Sequence, residues 1–146
     1  MIRRAVYGAA LVALAVLPGC DTTTTPSDIE LNDLVRSFNA EMFTVTERGT
    51  ITNLLSQGAS LTITLNSDHT TSGRLVVPGA GEGGGSLDVS LAGTFSFDDA
   101  QDAVVFTHSA DTFLRDMTFT AGRLTGHLTL AAEASFSGAD VVLVLR

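Results

Sequence analysis

The amino-acid sequence predicts an all-β protein, an antiparallel up-and-down barrel of about eight strands preceded by a short helix. Three observations carry this expectation. From about residue 39 to the C-terminus, apolar residues recur at every second position. Polar turn residues separate these runs at short intervals, and helical spacing is confined to one stretch near residue 30. Closure is expected because a barrel leaves no sheet edge exposed. A two-sheet β-sandwich meets the same alternation and stays as the alternative, since a period of two does not separate them.

The helix comes first. Ser27 followed by Glu30 has capping-box spacing. Leu31, Leu34, Val35 and Phe38 fall at i, i+3, i+4 and i+7, and Asp28, Glu30 and Asp33 suit the positive end of a helix dipole. A short helix is therefore expected over residues 28–38, within a single barrel domain spanning 28–146.

The strands follow. Glu41 to Thr46 reads as the first, and Leu61, Ile63 and Leu65 alternate with Thr62, Thr64 and Asn66 in the next clear one. Asn66-Ser67-Asp68-His69 is a turn, and Leu75 and Val77 lie on the returning strand. Leu87, Val89, Leu91, Phe95 and Phe97 form a further alternating set, with Gly93 where a strand could bend. After a polar turn from Asp98 to Asp102, Val104, Phe106 and His108 share one face. Phe113, Arg115, Met117 and Phe119 are expected on the inward face of the strand after that, ending in a tight Ala121-Gly122 turn. Leu124, Gly126, Leu128 and Leu130 alternate next, and the run from Val141 to Leu145 is apolar on both faces, as in a sandwiched or interface strand.

Ahead of the domain the chain reads Met1-Ile2-Arg3-Arg4, then an apolar stretch from Ala5 to Leu17, then Leu17-Pro18-Gly19-Cys20. The apolar stretch suits a signal-peptide core and is short for a bilayer span, which takes ~20 residues. Leu17 to Cys20 resembles the lipobox of bacterial lipoprotein precursors. That resemblance implies a signal peptide over 1–19, diacylglycerol on the thiol of Cys20, cleavage before it, and a further acyl chain such as palmitate on the new amine. It also implies a domain outside the cytoplasm in the bacterial cell envelope, lipid-anchored to an inner or an outer membrane. Cys20 is the only cysteine, so lipidation would consume it and no intramolecular disulfide can form. Residues 20–27 then serve as the lipidated cysteine and a flexible tether, Thr-rich with nothing to bury.

Loss of residues 1–19 would leave 127 residues, one domain's worth. Removing Arg3 and Arg4 with the signal leaves six basic residues, all arginine, against sixteen acidic ones, a charge of about −10. Such a surface lacks the basic footprint of a nucleic-acid binder and is repelled by anionic headgroups, so an acyl anchor must hold it to the membrane. A lipid-embedded barrel is disfavoured by the absence of Trp, the single Tyr7 inside the signal, and the Thr and Ser of the alternate strand face.

Gly58 to Thr70 with Thr71-Ser72-Gly73, and Ala110 to Phe119 with Leu124-Thr125-Gly126, are similar to two hairpins of small bacterial lipocalin-like lipoproteins. The resemblance covers roughly residues 39–146. It implies a calycin-type barrel and, with it, a small apolar or amphiphilic ligand held inside. The chain departs from lipocalins proper in that its first strand, Glu41-Met42-Phe43-Thr44-Val45-Thr46, lacks their Gly-x-Trp signature.

Candidate chemistry is sparse. His69, His108 and His127 lie on separate elements without metal-ligand spacing, and Asp98, Asp99 and Asp102 lack the spacing of a calcium loop. Gly79, Gly81, Gly83, Gly84 and Gly85 lead into a strand instead of a helix, and the chain has no Lys, so a phosphate cradle is not expected. No Gly-x-Ser-x-Gly elbow is present, and the carboxylate pairs Asp98/Asp99 and Asp111/Asp116 fall on turns or outer faces. No enzyme activity, metal or cofactor is expected. The candidate ligand cavity is the inward set Phe95, Phe97, Phe106, Phe113, Arg115, Met117 and Phe119. Arg115 among them is either an anchor for a ligand carboxylate or a structural ion-pairing or rim residue, since an unpaired buried charge is costly. The phenylalanines could equally plug the barrel, leaving a filled structural or protein-interaction lipoprotein as the alternative, its loops or terminal strand contacting a partner.

Overall fold

A computed structural model describes residues 29–110 and 112–146. The signal peptide, Cys20, the tether and the Ser27 cap lie outside the described residues. A four-residue helix, α1 (Leu31–Leu34), leads into ten strand segments. These are β1 (Ser37–Glu47), β2 (Thr50–Asn53), β3 (Ser60–Leu65), β4 (Thr70–Val77), β5 (Leu87–Ser90), β6 (Gly93–Asp98), β7 (Ala103–His108), β8 (Thr118–Leu124), β9 (His127–Phe136) and β10 (Ala139–Leu145).

The ten segments make a closed antiparallel barrel of eight staves. The order β1-β3-β4-β6-β7-β8-β9-β10 returns to β1, and every pairing is antiparallel. The two extra segments are halves of interrupted staves. β2 pairs with the far half of β1 and β3 with its near half, while a short 3-10 turn over Leu55–Gln57 bulges out between them. In the same way β5 and β6 both pair with β4, and the chain kinks at Leu91-Ala92. The kink keeps its hydrogen bonds: Leu91 N donates to Gly73 O at 3.0 Å and Thr71 Oγ1 donates to Leu91 O at 2.8 Å. Gly93 is needed just after it, because a Cβ there would run into the carbonyl of Thr107.

Alternation fills the interior as expected. Leu61, Ile63 and Leu65 of β3 are buried, as are Val104, Phe106 and His108 of β7 and Val141, Leu143 and Leu145 of β10. Outward positions around the barrel carry Thr62, Arg74, Asp88, Glu133 and Asp140. That arrangement is the reverse of a lipid-embedded barrel.

Four expectations are corrected. The helix covers Leu31–Leu34 and not 28–38: Val35 leaves helical geometry, and Phe38 is an inward residue of β1. Its first turn is closed by Glu30 N donating to Asp33 Oδ2 at 3.2 Å. Ala121 and Gly122 form no turn; both lie within β8, and the reversal falls at Thr125-Gly126, between the paired Leu124 and His127. Leu124 and Gly126 accordingly do not share the inward face of Leu128 and Leu130. Most consequential, Phe113–Asp116 is a 3-10 turn, not a strand. Three residues per turn put Leu114 and Met117 inward and carry Arg115 out. Leu114 is 1% exposed, whereas the Arg115 side chain is 44% exposed and lies 3.8 Å from Asp116.

The ends of the barrel are closed differently. At one end Leu34 of α1 is fully buried, and Ile29 to Leu31 just before it lie beside the turns joining β3 to β4 and β6 to β7. Arg123 of β8 reaches Asp33 there at 3.2 Å. At the other end Leu114 and Met117 cap the interior, and Phe113 packs on Phe43 and Phe136 with ring centres 5.6 and 6.2 Å apart.

Candidate functional site

The residues expected to line a ligand cavity do not surround an open space. Phe95, Phe106, Met117 and Phe119 are buried, and Phe106 and Phe119 pack ring against ring at 5.1 Å. They join Phe38, Phe43, Leu34, Ile63, Leu65, Leu75, Leu91, Leu114 and Leu130 in one continuous core. Alternate large apolar residues on all eight staves thus meet across a narrow barrel and fill it, as an eight-stranded barrel permits. Phe97 and Phe113 are only partly buried, at opposite ends, and Arg115 is outside. The interior holds no charged anchor drawn from this set.

His108 is the unusual core residue. It sits at the end of β7, 7% exposed, with its ring stacked on Phe106 at 5.8 Å. Both ring nitrogens lack a hydrogen-bond partner among the described residues, and so does the hydroxyl of Thr112, which is 4% exposed. Burial holds the imidazole below its ordinary pKa and keeps it neutral.

A hollow of about 360 Å³ opens at the helix end of the barrel. It is lined by Ile29, Glu30 and Leu31 before and within α1, by His69 of the β3–β4 turn, and by Phe97 and Asp99 where β6 enters its turn. His69 has a left-handed backbone, φ 64°, and its ring stacks on Phe95 at 5.4 Å. The backbone of the same residue ties the β3–β4 turn to β6, its carbonyl accepting from Phe95 N at 2.9 Å. Next to it Asp68 accepts from Thr70 Oγ1 at 2.6 Å and Thr70 N at 3.1 Å, and these bonds hold its carboxyl below the usual range. Of the expected cavity set, Phe97 alone lines this hollow. Ile29 and Leu31 drew no attention as site residues, and His69 and Asp99 read as ordinary turn residues. No sequence signal joins them, because the segments meet only when the barrel closes.

The outer surface has one further feature. Thr120, Ala131, Val144 and Met42 lie side by side across β8, β9, β10 and β1. A shallow depression of about 250 Å³ beside this row is lined by Thr120, Ala131, Ala132, Glu133 and Val142. The apolar outward residues anticipated on the terminal strand are Val142 and Val144.

The remaining residues singled out from sequence stay apart. His69, His108 and His127 lie on different elements, and no group of three or more metal-ligating side chains is found among the described residues. Asp98 is a turn residue whose Oδ1 accepts from Ala100 N at 3.0 Å. The glycine-rich stretch forms a 3-10 turn over Glu82–Gly84 between β4 and β5. No helix among the described residues is long and apolar enough to cross a membrane. No protein-family model matches the chain, and comparison with curated proteins gives no match either.

Proposed function

We propose that this chain is an exported lipoprotein, held to a bacterial membrane through lipid on Cys20, whose barrel works by contact at its surface and not by carrying a molecule inside. One observation carries the reading: the interior is occupied by the protein's own side chains, Phe38, Phe43, Phe106 and Phe119 foremost, each under 2% exposed. A lipocalin-like carrier needs a cavity of roughly 300 Å³ or more around its ligand. In this reading the anchor restricts the domain to a membrane surface, and the row from Thr120 to Met42 is the face offered to a protein partner. Scattered single apolar residues need no explanation, but Ala131, Val144 and Met42 side by side on three adjacent strands, continued by Thr120 on a fourth, make a candidate contact surface. No catalysis is assigned.

The test has two parts. Expressed in a bacterial host with an alkyne analogue of palmitate, the full chain should become labelled and fractionate with membranes, and Cys20→Ser should abolish both. Denaturing extraction of the purified protein should then release no apolar molecule in stoichiometric amount beyond the anchor. A stoichiometric fatty acid or similar molecule would overturn the surface-contact reading while leaving the anchor intact. Absence of label on the wild-type chain would overturn the anchor.

A further inference from the structure

We propose that the hollow at the helix end of the barrel binds a small organic cation with an apolar body, such as an amine bearing an aryl or short alkyl group. The inference is separate from the lipid anchor and from the filled interior, because the hollow lies at the surface of the barrel end. Its size, about 360 Å³, falls within the range of small-molecule sites.

The chemistry of the wall selects the ligand. Ile29, Leu31 and Phe97 supply apolar surface, with Ile29 buried and the other two partly so. Glu30 and Asp99 bring carboxylates from two different elements, the entry to α1 and the β6–β7 turn, and both residues are exposed at the rim. None of the described residues that line it is an arginine, and the chain contains no lysine. An anion entering would meet two like charges, and the described lining offers it no arginine or lysine. A purely apolar molecule would strip water from the carboxylates and return nothing to them. An ammonium group satisfies both carboxylates and can also lie against the face of Phe97. A bare metal ion is a poorer fit, since its apolar neighbours offer no ligands and the described residues hold no metal-ligating group of three.

The site is also held in shape. His69 forms one wall, and its ring is fixed by stacking on Phe95 while its carbonyl accepts Phe95 N. Leu31 and Ile29 are fixed by the packing of α1 into the barrel end, where Leu34 is fully buried. A wall set by the fold lowers the ordering cost of binding.

The probe is 2-phenylethylamine, compared with the neutral 2-phenylethanol and the anionic 3-phenylpropionate. Each is titrated into 15N-labelled protein purified from membranes in a non-ionic detergent, and amide shifts are followed. The amine should shift the amides of residues 69 and 97–99 saturably. The alcohol should need about tenfold more, a difference of about 1.4 kcal/mol, and the anion should not saturate. In Glu30→Gln combined with Asp99→Asn the amine should weaken about tenfold to match the alcohol. The spectrum elsewhere should stay unchanged, because both side chains are exposed and both replacements keep their shape. Equal binding of amine and alcohol, preference for the anion, saturable shifts elsewhere instead, or no saturable shift with any of the three would each overturn the proposal.

Discussion

Asn39 and Arg146 exchange both of their backbone hydrogen bonds, Asn39 N to Arg146 O at 2.7 Å and Arg146 N to Asn39 O at 2.9 Å. One residue lies near the start of β1 and the other directly follows β10, so this pair closes the barrel at the helix end. The seam continues from Ala40 opposite Leu145 to Glu47 opposite Ala139, broken by a bulge between Ala40 and Met42. The bulge has a visible purpose. Phe38 and Phe43 are an odd number of residues apart, yet both point inward, and one extra residue in β1 is what restores the phase.

Closure through β10 makes its apolar side chains matter more than its terminal charge. Leu145 is fully buried, so Leu145→Ala should cost about 2–5 kcal/mol. Arg146 reaches Glu41 at 3.2 Å in a partly exposed pair, so Arg146→Ala should change stability by under ~1 kcal/mol. Urea unfolding followed by circular dichroism separates the two. A large loss in Arg146→Ala would mean that the seam depends on the ion pair.

The 3-10 turn over Phe113–Asp116 makes a second pair of outcomes. Leu114→Ala should destabilise by about 2–5 kcal/mol because it empties a position at the capped end of the core. Arg115→Met should cost clearly less than Leu114→Ala, since the Arg115 side chain is 44% exposed and lies outside the core. A strand running through this segment, with Arg115 inward, predicts the reverse order. The same urea titration decides.

The architecture was legible because each inward residue of β3, β7 and β10 announces itself by period two, and the short turns leave little choice but a meander. What escaped are the places where phase changes. A 3-10 turn shifts the inward face from every second residue to every third, and Phe113, Arg115, Met117 and Phe119 imitate a strand well enough to hide it. The Glu41 bulge is invisible for the same reason. The interior was legible as a set of residues but not as filled or hollow, because that depends on how far the staves stand apart. The hollow at the helix end was not legible at all: residues 29–31, 69 and 97–99 become neighbours only through closure.

Three two-residue reversals share one geometry. Arg48-Gly49, Thr125-Gly126 and Ser137-Gly138 each have positive φ at both positions, the type I′ turn that suits twisted hairpins. Glycine is at ease there, but a β-branched residue is not, and Thr125 sits at φ 50°. Thr125→Asn should therefore stabilise the protein by up to ~1 kcal/mol, visible as a higher urea midpoint with an unchanged slope. Thr125 Oγ1 donates to its neighbour's carbonyl, Leu124 O, at 2.8 Å, a bond that the Asn must outweigh. A lower midpoint would show that the hydroxyl matters more than the backbone strain.

Acid sensitivity should begin at His108. Its folded pKa lies below the ordinary 6.5 because burial disfavours the imidazolium. Between the ordinary value and the lower folded one, the unfolded chain binds more protons than the native protein, so stability rises with pH in that window. The contribution is complete above about pH 6.5 and fades as pH falls toward the folded pKa. Asp68 and Asp88 act lower on the scale. Hydrogen bonds from Thr70 and from Arg74 respectively hold their carboxyls below the ordinary range, so their contribution is lost only as pH drops through it. His108→Leu removes the titrating group, and with it two buried nitrogens that have no hydrogen-bond partner among the described residues, beside Phe106. The variant should gain about 1 kcal/mol at neutral pH and lose the decline between neutral and mildly acid pH, while keeping the wild-type decline at lower pH where the carboxylates protonate. Urea midpoints measured at intervals from pH 7.5 down to pH 4 give both readouts. A variant that is less stable at neutral pH and still declines like the wild type would show that the imidazole nitrogens are satisfied in the folded protein.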